Sequence, residues 1–382
     1  MAEKLRRDRL TIYCYITLLS YVWALYGVGP ALLLLRDEHD YTRTVAALHS
    51  VSLSAGIVAL GLIGERITGR FGRARSVEVG SVLVAGGMLL LIFGPSAAFS
   101  IPGAFLIGFG GSMLTNPMNA FLTLYHRDHG PAAIAESNAG AAFAGLIAPL
   151  FMGALVALDI NWRFALLAGL ALFAIGRVLR GDGTALNLEA PPHEHAHTRL
   201  PGLYWWGWLS LALCIGAEFC FVFWAGDLLR DRAQVSTAVA TAGLSAVAIG
   251  MMLSRIASSQ LLRHFSMQRL FVISIALALV MWAPMWVFAN ATVMLASMFV
   301  IGIGIGAHFP IGMSRMLASA PGMLEEAAAR SSLAAGLAGG AMPFVLGMLG
   351  DAFGIHAAFG LVPMLFGLAL VIALWRPVRA TA

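Results

Sequence analysis

Shifted against itself by a constant 194 residues, this sequence falls into register without a gap. Leu35-Arg36-Asp37 lands on Leu229-Arg230-Asp231, Val45-Ala46 on Val239-Ala240, and Gly56 on Gly250. The same register carries Phe71 and Arg75 onto Phe265 and Arg269, and Phe105-Leu106-Ile107-Gly108 onto Phe299-Val300-Ile301-Gly302. It ends by placing Gly145, Pro149 and Gly153 on Gly339, Pro343 and Gly347. Two halves that keep one register share one fold. When such parallel halves lie in a membrane, the expected behaviour is rocking of one bundle against the other around a central site.

Composition fixes the solvent. Apolar residues make up 59% of the chain and charged residues 11%. The apolar residues form runs long enough to cross a bilayer, for which roughly 20 residues suffice. Twelve such runs occur, near residues 11–35, 44–64, 76–94, 98–124, 135–157, 162–178, 203–229, 236–262, 268–289, 291–317, 327–350 and 355–375. Helices are expected throughout, because lipid-facing backbone groups must be satisfied within their own segment; the alternation of a transmembrane barrel is absent. The expected fold is an all-α integral membrane protein of twelve transmembrane helices. Residues 1–178 and 203–382 form two six-helix bundles related by pseudo-two-fold symmetry, and 179–202 join them.

Charge placement supports this count independently. With the N-terminus in the cytoplasm, only Arg36, Arg43, Arg163, Arg230 and Arg232 of the 24 Lys and Arg fall outside. The positive-inside rule then puts both termini in the cytoplasm, with the protein in the cell (plasma or inner) membrane. The net charge of +5 reflects topology, so no nucleic-acid partner is expected. The first apolar run is too long, and lacks the small-residue cleavage site, to be a secretory signal. Cys14, Cys214 and Cys220 sit in separate positions of predicted spans and imply neither a disulfide framework nor a metal site.

Residues 179–202 are the one long polar stretch and read as a flexible cytoplasmic tether between the halves. His193, His195 and His197 alternate within it. Three histidines without a fourth ligand define no closed metal site, so a solvated tether is the favoured reading and a metal-exporting role is the alternative.

With twelve spans, a six-plus-six repeat and a central linker, the chain resembles the major facilitator superfamily over nearly its whole length. The loop after the second span strengthens this resemblance. There the family carries GxxxDRxGRR, and this chain reads Glu65-Arg66-Ile67-Thr68-Gly69-Arg70-Phe71-Gly72-Arg73-Ala74-Arg75. Arg70, Gly72, Arg73 and Arg75 match, Gly69 stands in place of the aspartate and Glu65 in place of the first glycine. The resemblance implies a cytoplasmic latch in which Glu65 supplies the missing charge. A degenerate copy, Arg263 to Arg269, follows the eighth span. Gly145, Pro149 and Gly153 approximate the glycine-proline motif of the family's exporters, but their counterparts in the eleventh span favour a general packing role.

Ionisable residues inside spans point to chemistry, since burying one costs about 2.5–3.5 kcal/mol even on insertion scales. Glu218 is the one acid at mid-membrane depth in the sequence. A carboxyl shielded from water favours its neutral form and can exchange protons near neutral pH, so Glu218 is the leading proton-coupling candidate, against a purely structural paired glutamate. Its repeat mate is Ala24. Thr17, Ser20 and Tyr21 lie at helical spacing around that position and predict a cavity-facing polar face. Ser112, Thr115, Asn116, Asn119 and Thr123 predict another on the fourth span. Arg255 is a further cavity candidate, either attracting an anionic substrate or snorkelling to the interface.

His308 is a second proton-relay candidate by side-chain chemistry. Symmetry opposes it, because its mate Leu114 points roughly 200° from Asn116 at about 100° per residue. His49, Glu78 and Glu136 read as interfacial or helix-end residues, and Asp227 as part of an external gate. Tyr204-Trp205-Trp206 and Trp208 read as an interfacial aromatic belt.

Enzyme chemistry finds little support. Lys4 is the sole lysine, so a P-loop is impossible. Gly302 to Gly306 lacks the context of a dinucleotide site, and no cofactor is implied. The expected function is secondary transport of a small organic solute by alternating access, coupled to protons, in a functional monomer. The polar, charge-poor cavity suggests a neutral or weakly charged solute. A proton-independent facilitator and a non-transporting receptor or scaffold are the alternatives.

Overall fold

The sequence register reappears as helix register. The computed structural model describes residues 7–181, 184–187, 200–320 and 323–377. α1 (Arg9–His39), α2 (Arg43–Phe71) and α3 (Arg73–Phe93) recur 194 residues later as α7 (Gly202–Ala233), α8 (Thr237–Leu261) and α9 (Met267–Val287). α4 (Ala97–His126) and α5 (Gly130–Ala157) recur as α10 (Ala291–Ala318) and α11 (Leu324–Phe353). α6 (Arg163–Arg180) corresponds to α12 (Ile355–Ala358) and α13 (Leu361–Trp375), which together make one interrupted span.

Among the described residues, eleven of these stretches are long and apolar enough to cross a bilayer on composition alone. The twelfth is α6, whose 18 residues include Arg163, Arg177 and Arg180. Its two C-terminal arginines reach back to Glu78 on α3, at 3.6 Å from Arg177 and 3.3 Å from Arg180. The protein is therefore all-helical and multi-pass, in two six-helix bundles.

Helix starts repeat as well. Thr42 caps α2 by accepting from the Val45 N–H at 3.2 Å, and its mate Ser236 caps α8 from Val239 at 3.3 Å. These side-chain oxygens satisfy donors that the first helical turn leaves open. Asp8 caps α1, accepting from the Thr11 N–H at 2.9 Å, and is also bonded by Tyr125. Partial burial pushes the Asp8 carboxyl up, but the bonds from Tyr125 and Thr11 outweigh it and hold the group below its ordinary range. Its contribution is thus present above the ordinary carboxylate pKa and is lost as pH falls through the lowered value.

Close packing within each bundle rests on paired glycines. A side chain at Gly108 on α4 would strike the Leu53 carbonyl on α2, and one at the mate Gly302 would strike the Val247 carbonyl on α8. At Gly110 and its mate Gly304 the obstruction is the carbonyl of Gly80 or Ser274, at 2.6 Å in both halves. Small residues let helix backbones approach where no hydrophobic force between helices exists in lipid. Gly108→Leu and Gly302→Leu are expected to cost more than the about 1–3 kcal/mol typical of overpacking, because the obstruction is backbone. Thermal unfolding of the purified protein, with Gly61→Leu as the unobstructed control, checks this.

Three expectations need correction. His49 lies near the start of α2 but is not exposed at an interface: it is sealed between α2 and α4, hydrogen-bonded to the Ser100 hydroxyl at 2.8 Å and the Ala46 carbonyl at 3.0 Å. Tyr204 is not part of a belt, since its ring is fully buried and its hydroxyl donates to the Ala327 carbonyl at 2.8 Å. Part of the 179–202 segment is docked rather than free. Leu186 is buried, and the Asn187 side chain accepts from the Ala74 N–H at the start of α3, 3.0 Å away. His193, His195 and His197 lie outside the described residues.

Candidate functional site

The helices leave a central space whose two ends differ. One end of the bundle, here the linker face, carries the starts of α1 and α7 and the α2–α3 loop; the other is the far face. At the far face the halves are locked together. The Leu-Arg-Asp tripeptides that announce the sequence repeat meet there, with Arg230 paired to Asp37. Asp227, whose side chain is only 4% exposed, lies 2.9 Å from Arg36 and 2.7 Å from Arg43, and 3.7 Å from Arg230 on its own helix. The Arg36 contact is an ion pair without hydrogen-bond alignment, whereas the Arg43 Nε donates squarely to Asp227.

Asp351, near the end of α11, completes the lock by accepting from the Arg43 and Thr44 N–H groups at 2.8 and 2.7 Å. It thereby fills the donor-rich start of α2. Just beneath, Gly29 of α1 lies against the Val222 carbonyl of α7, and Gly153 of α5 against Ala238 and Ala242 of α8.

Toward mid-depth the halves remain joined by the Ser245 hydroxyl, which donates to the Leu146 carbonyl at 2.9 Å, and by Gly340 against Ser54. Beyond these the space opens toward the linker face. Asn116 and Thr123 on α4, Asn138 on α5, Arg255 on α8 and Ser314 on α10 are exposed there. The protein is thus closed at the far face and open at the linker face.

A cavity of about 150 Å³ lies directly under the closure. Val22 and Tyr26 of α1, Asn138, Ala141, Ala142 and Gly145 of α5, and Ala248, Met251, Met252 and Arg255 of α8 form its wall. A smaller apolar recess continues from it toward the far face, between Pro149, Phe221, Val222, Leu244 and Val247. Gly145 is needed here for space, because a side chain on it would meet the Tyr26 ring at 3.3 Å. Glu218 of α7 stands beside this wall. The residue is 7% exposed, and it interacts electrostatically with both Tyr26 and Arg255. No ion pair or hydrogen bond to Glu218 exists among the described residues.

The sequence-predicted residues divide accordingly. Glu218 and Arg255 are brought together, although they lie on different helices. On α4, Ser112, Thr115 and Asn119 are partly exposed and Asn116 exposed, while Leu114 is sealed against Gly80 of α3, so this stripe faces the open space. On α1 the expected face is displaced. Thr17 and Ser20 are buried, with Thr17 against Gly176 of α6 and Ser20 donating to the Ile16 carbonyl at 2.7 Å. Tyr21 packs against Gly111 of α4. Small hydroxyls can satisfy themselves on their own helix, and here they serve packing inside the bundle. The face turned to the cavity is that of Val22 and Tyr26.

His308 is likewise placed away from the cavity. It is fully buried, edge-on to Phe271 and Phe366, and the polar group beside its ring is the backbone of Ser274. In the α2–α3 loop, Arg70 and Arg75 lie over the Phe71 ring at 5.6 and 5.8 Å. Gly72 takes a positive φ of 78° where α2 turns into α3, and Arg73 opens α3. Counted position by position, the motif's last place falls on Ala74, and Arg75 lies one beyond it. The Glu65 side chain lies outside the described residues. Tyr26, Asn138 and the Met251-Met252 pair escaped the sequence reading; their signal, a polar or soft side chain beside a small-residue helix face, is too common to single them out.

The whole architecture has known counterparts. It is similar to a bacterial homologue of the human lysosomal transporter Spinster, solved in an inward-facing and occupied conformation. The TM-score is 0.74, at 14% identity over 98% of this chain and 97% of that one. The unoccupied inward-facing form of that homologue gives 0.72 at 13% identity, over 98% and 96%. A variant of the E. coli fucose:proton symporter gives 0.63 at 16% identity, over 98% and 100%. No curated protein sequence matches. The sequence model described as Major Facilitator Superfamily matches residues 14–326, and with the twelve-helix fold, the repeat and the loop motif it shows that this chain belongs to that superfamily of secondary transporters.

Proposed function

We propose that the protein moves a small organic solute across the membrane by alternating access, with Glu218 coupling the movement to protons. The observation that carries this reading is the position of Glu218. It is the acid buried at mid-depth, beside a cavity shared by both halves and open at one face only. Interaction of Glu218 with Tyr26 and Arg255 lets its charge bias the cavity wall. The basic linker face is the cytoplasmic one under the positive-inside rule, so the form described is inward-open. The lock of Asp37, Asp227 and Asp351 with Arg36, Arg43 and Arg230 is the external gate. One chain holds a complete pathway, and a functional monomer suffices.

The fucose:proton symporter among the structural counterparts is consistent with proton coupling but shares too little sequence to transfer a substrate. The test is reconstitution into liposomes holding a pH-sensitive dye under an imposed pH gradient, challenged with a panel of small organic solutes. A transporter of the proposed kind dissipates the gradient faster with its solute than without. Solute movement with no change in gradient decay would make the protein a proton-independent facilitator.

A further inference from the structure

The cavity wall carries a charge imbalance that narrows the substrate class. Arg255 is the one charged residue in it, and the other polar groups, Tyr26 and Asn138, are neutral. Arg255 is an exposed side chain and makes no ion pair among the described residues. Its guanidinium donates to the Tyr26 hydroxyl and has further donors in its fork for a guest, a geometry matched to a carboxylate. On the other side of the cavity the recess of Pro149, Phe221, Val222, Leu244 and Val247 offers only apolar contacts. With a cavity of about 150 Å³, below the roughly 300–1,000 Å³ of drug-sized sites, the guest is small.

Resting on the proposed transport reading, we infer that the substrate is a small amphipathic monocarboxylate, with its carboxylate on Arg255 and its apolar end in the recess, entering together with one proton taken up by Glu218. The charge count requires the proton. Arg255 and an ionised Glu218 would balance each other before the guest arrives, since the two groups interact. A second anion would leave a net negative charge in a low-dielectric space, where like charges interact strongly. Transfer of a proton from water on the open side to the Glu218 carboxylate restores neutrality. The groups facing Glu218 are few. Tyr26 comes from α1 and Arg255 from α8, and Cys214 on its own helix links it to Arg315 of α10. Among the described residues α11, α12 and α13 bring no charged group that interacts with it.

The sequence suggested a neutral or weakly charged solute; the wall built around Arg255 revises that expectation.

Three probes of one shape separate the alternatives: 3-phenylpropionate, its amide and 3-phenylpropylamine. Binding to the intact purified protein is read by thermal stabilisation, and proton uptake by a dye in weak buffer. The carboxylate is expected to bind with about one proton taken up, and the amide and amine at least about tenfold more weakly. Arg255→Gln should weaken carboxylate binding by about tenfold or more, with part of it restored in Arg255→Lys. Glu218→Gln should bind the carboxylate without proton uptake. Equal binding of the amide or amine, or carboxylate binding untouched by Arg255→Gln, overturns the substrate class. The cavity reading then survives if Ala142→Trp, which fills the cavity, abolishes that binding. Failure of all three probes to bind overturns both.

Discussion

Asp227→Ala is expected to unlock the far face. Its carboxylate is almost fully buried between Arg36 and Arg43 of the first half and Arg230 of its own helix. Removing one partner of a buried ion pair costs about 3–5 kcal/mol, because the remaining charges stay desolvated. Here Arg36 and Arg43 would be left without their carboxylate, while Arg230 keeps Asp37. The loss applies only to the state in which the far face is closed. At about 3 kcal/mol the closed-to-open ratio falls about a hundredfold.

A cysteine at Leu32, buried beside the lock, reports the change through its rate of labelling by an impermeant maleimide from the far side. Background is low because Cys14, Cys214 and Cys220 are all buried. The labelling rate is expected to rise at least about tenfold in Asp227→Ala. Asp227→Asn, which keeps a hydrogen-bond acceptor for Arg43 but not the charge, should fall between. An unchanged rate in Asp227→Ala would show that the lock contributes nothing to closure.

Glu218→Gln is the second large effect. Glutamine copies the protonated carboxyl in shape and neutrality, so the helix packing around α7 should be retained. What disappears is the exchange of charge. Under a pH gradient the variant is expected to lose accumulation of solute, while exchange of bound for free solute continues. A gradient of one pH unit supplies about 1.4 kcal/mol per coupled proton, so about tenfold accumulation should collapse to none. A glutamate that only holds helices together would instead lower thermal stability without separating exchange from accumulation.

Much of this architecture is legible in the sequence because the repeat is encoded in residues that cannot vary independently of packing. Gly56, Gly108 and their mates mark places where two backbones touch, and those places recur because the fold recurs. Arg36 and Arg43 could be read only as exceptions to the charge bias. Their partner Asp227 lies on the other half, and nothing local announces the contact. The cavity was legible in part for the same reason. Glu218 stands out as a buried acid in any context, and the α4 stripe is wide enough to define a face. Tyr26, Asn138 and Arg255 meet only when α1, α5 and α8 are brought together. Thr17 and Ser20 misled because a hydroxyl in lipid can bond its own helix, so polarity alone does not mark a water-facing surface.

The central claim is that Glu218 ties solute movement to protons, and the most direct measurement is the proton flux that accompanies solute entry into liposomes. Wild type and Glu218→Gln should be compared at equal rates of solute exchange. Solute-dependent proton movement is expected in wild type and none in the variant. Equal proton movement in both would contradict it and move the coupling elsewhere in the protein.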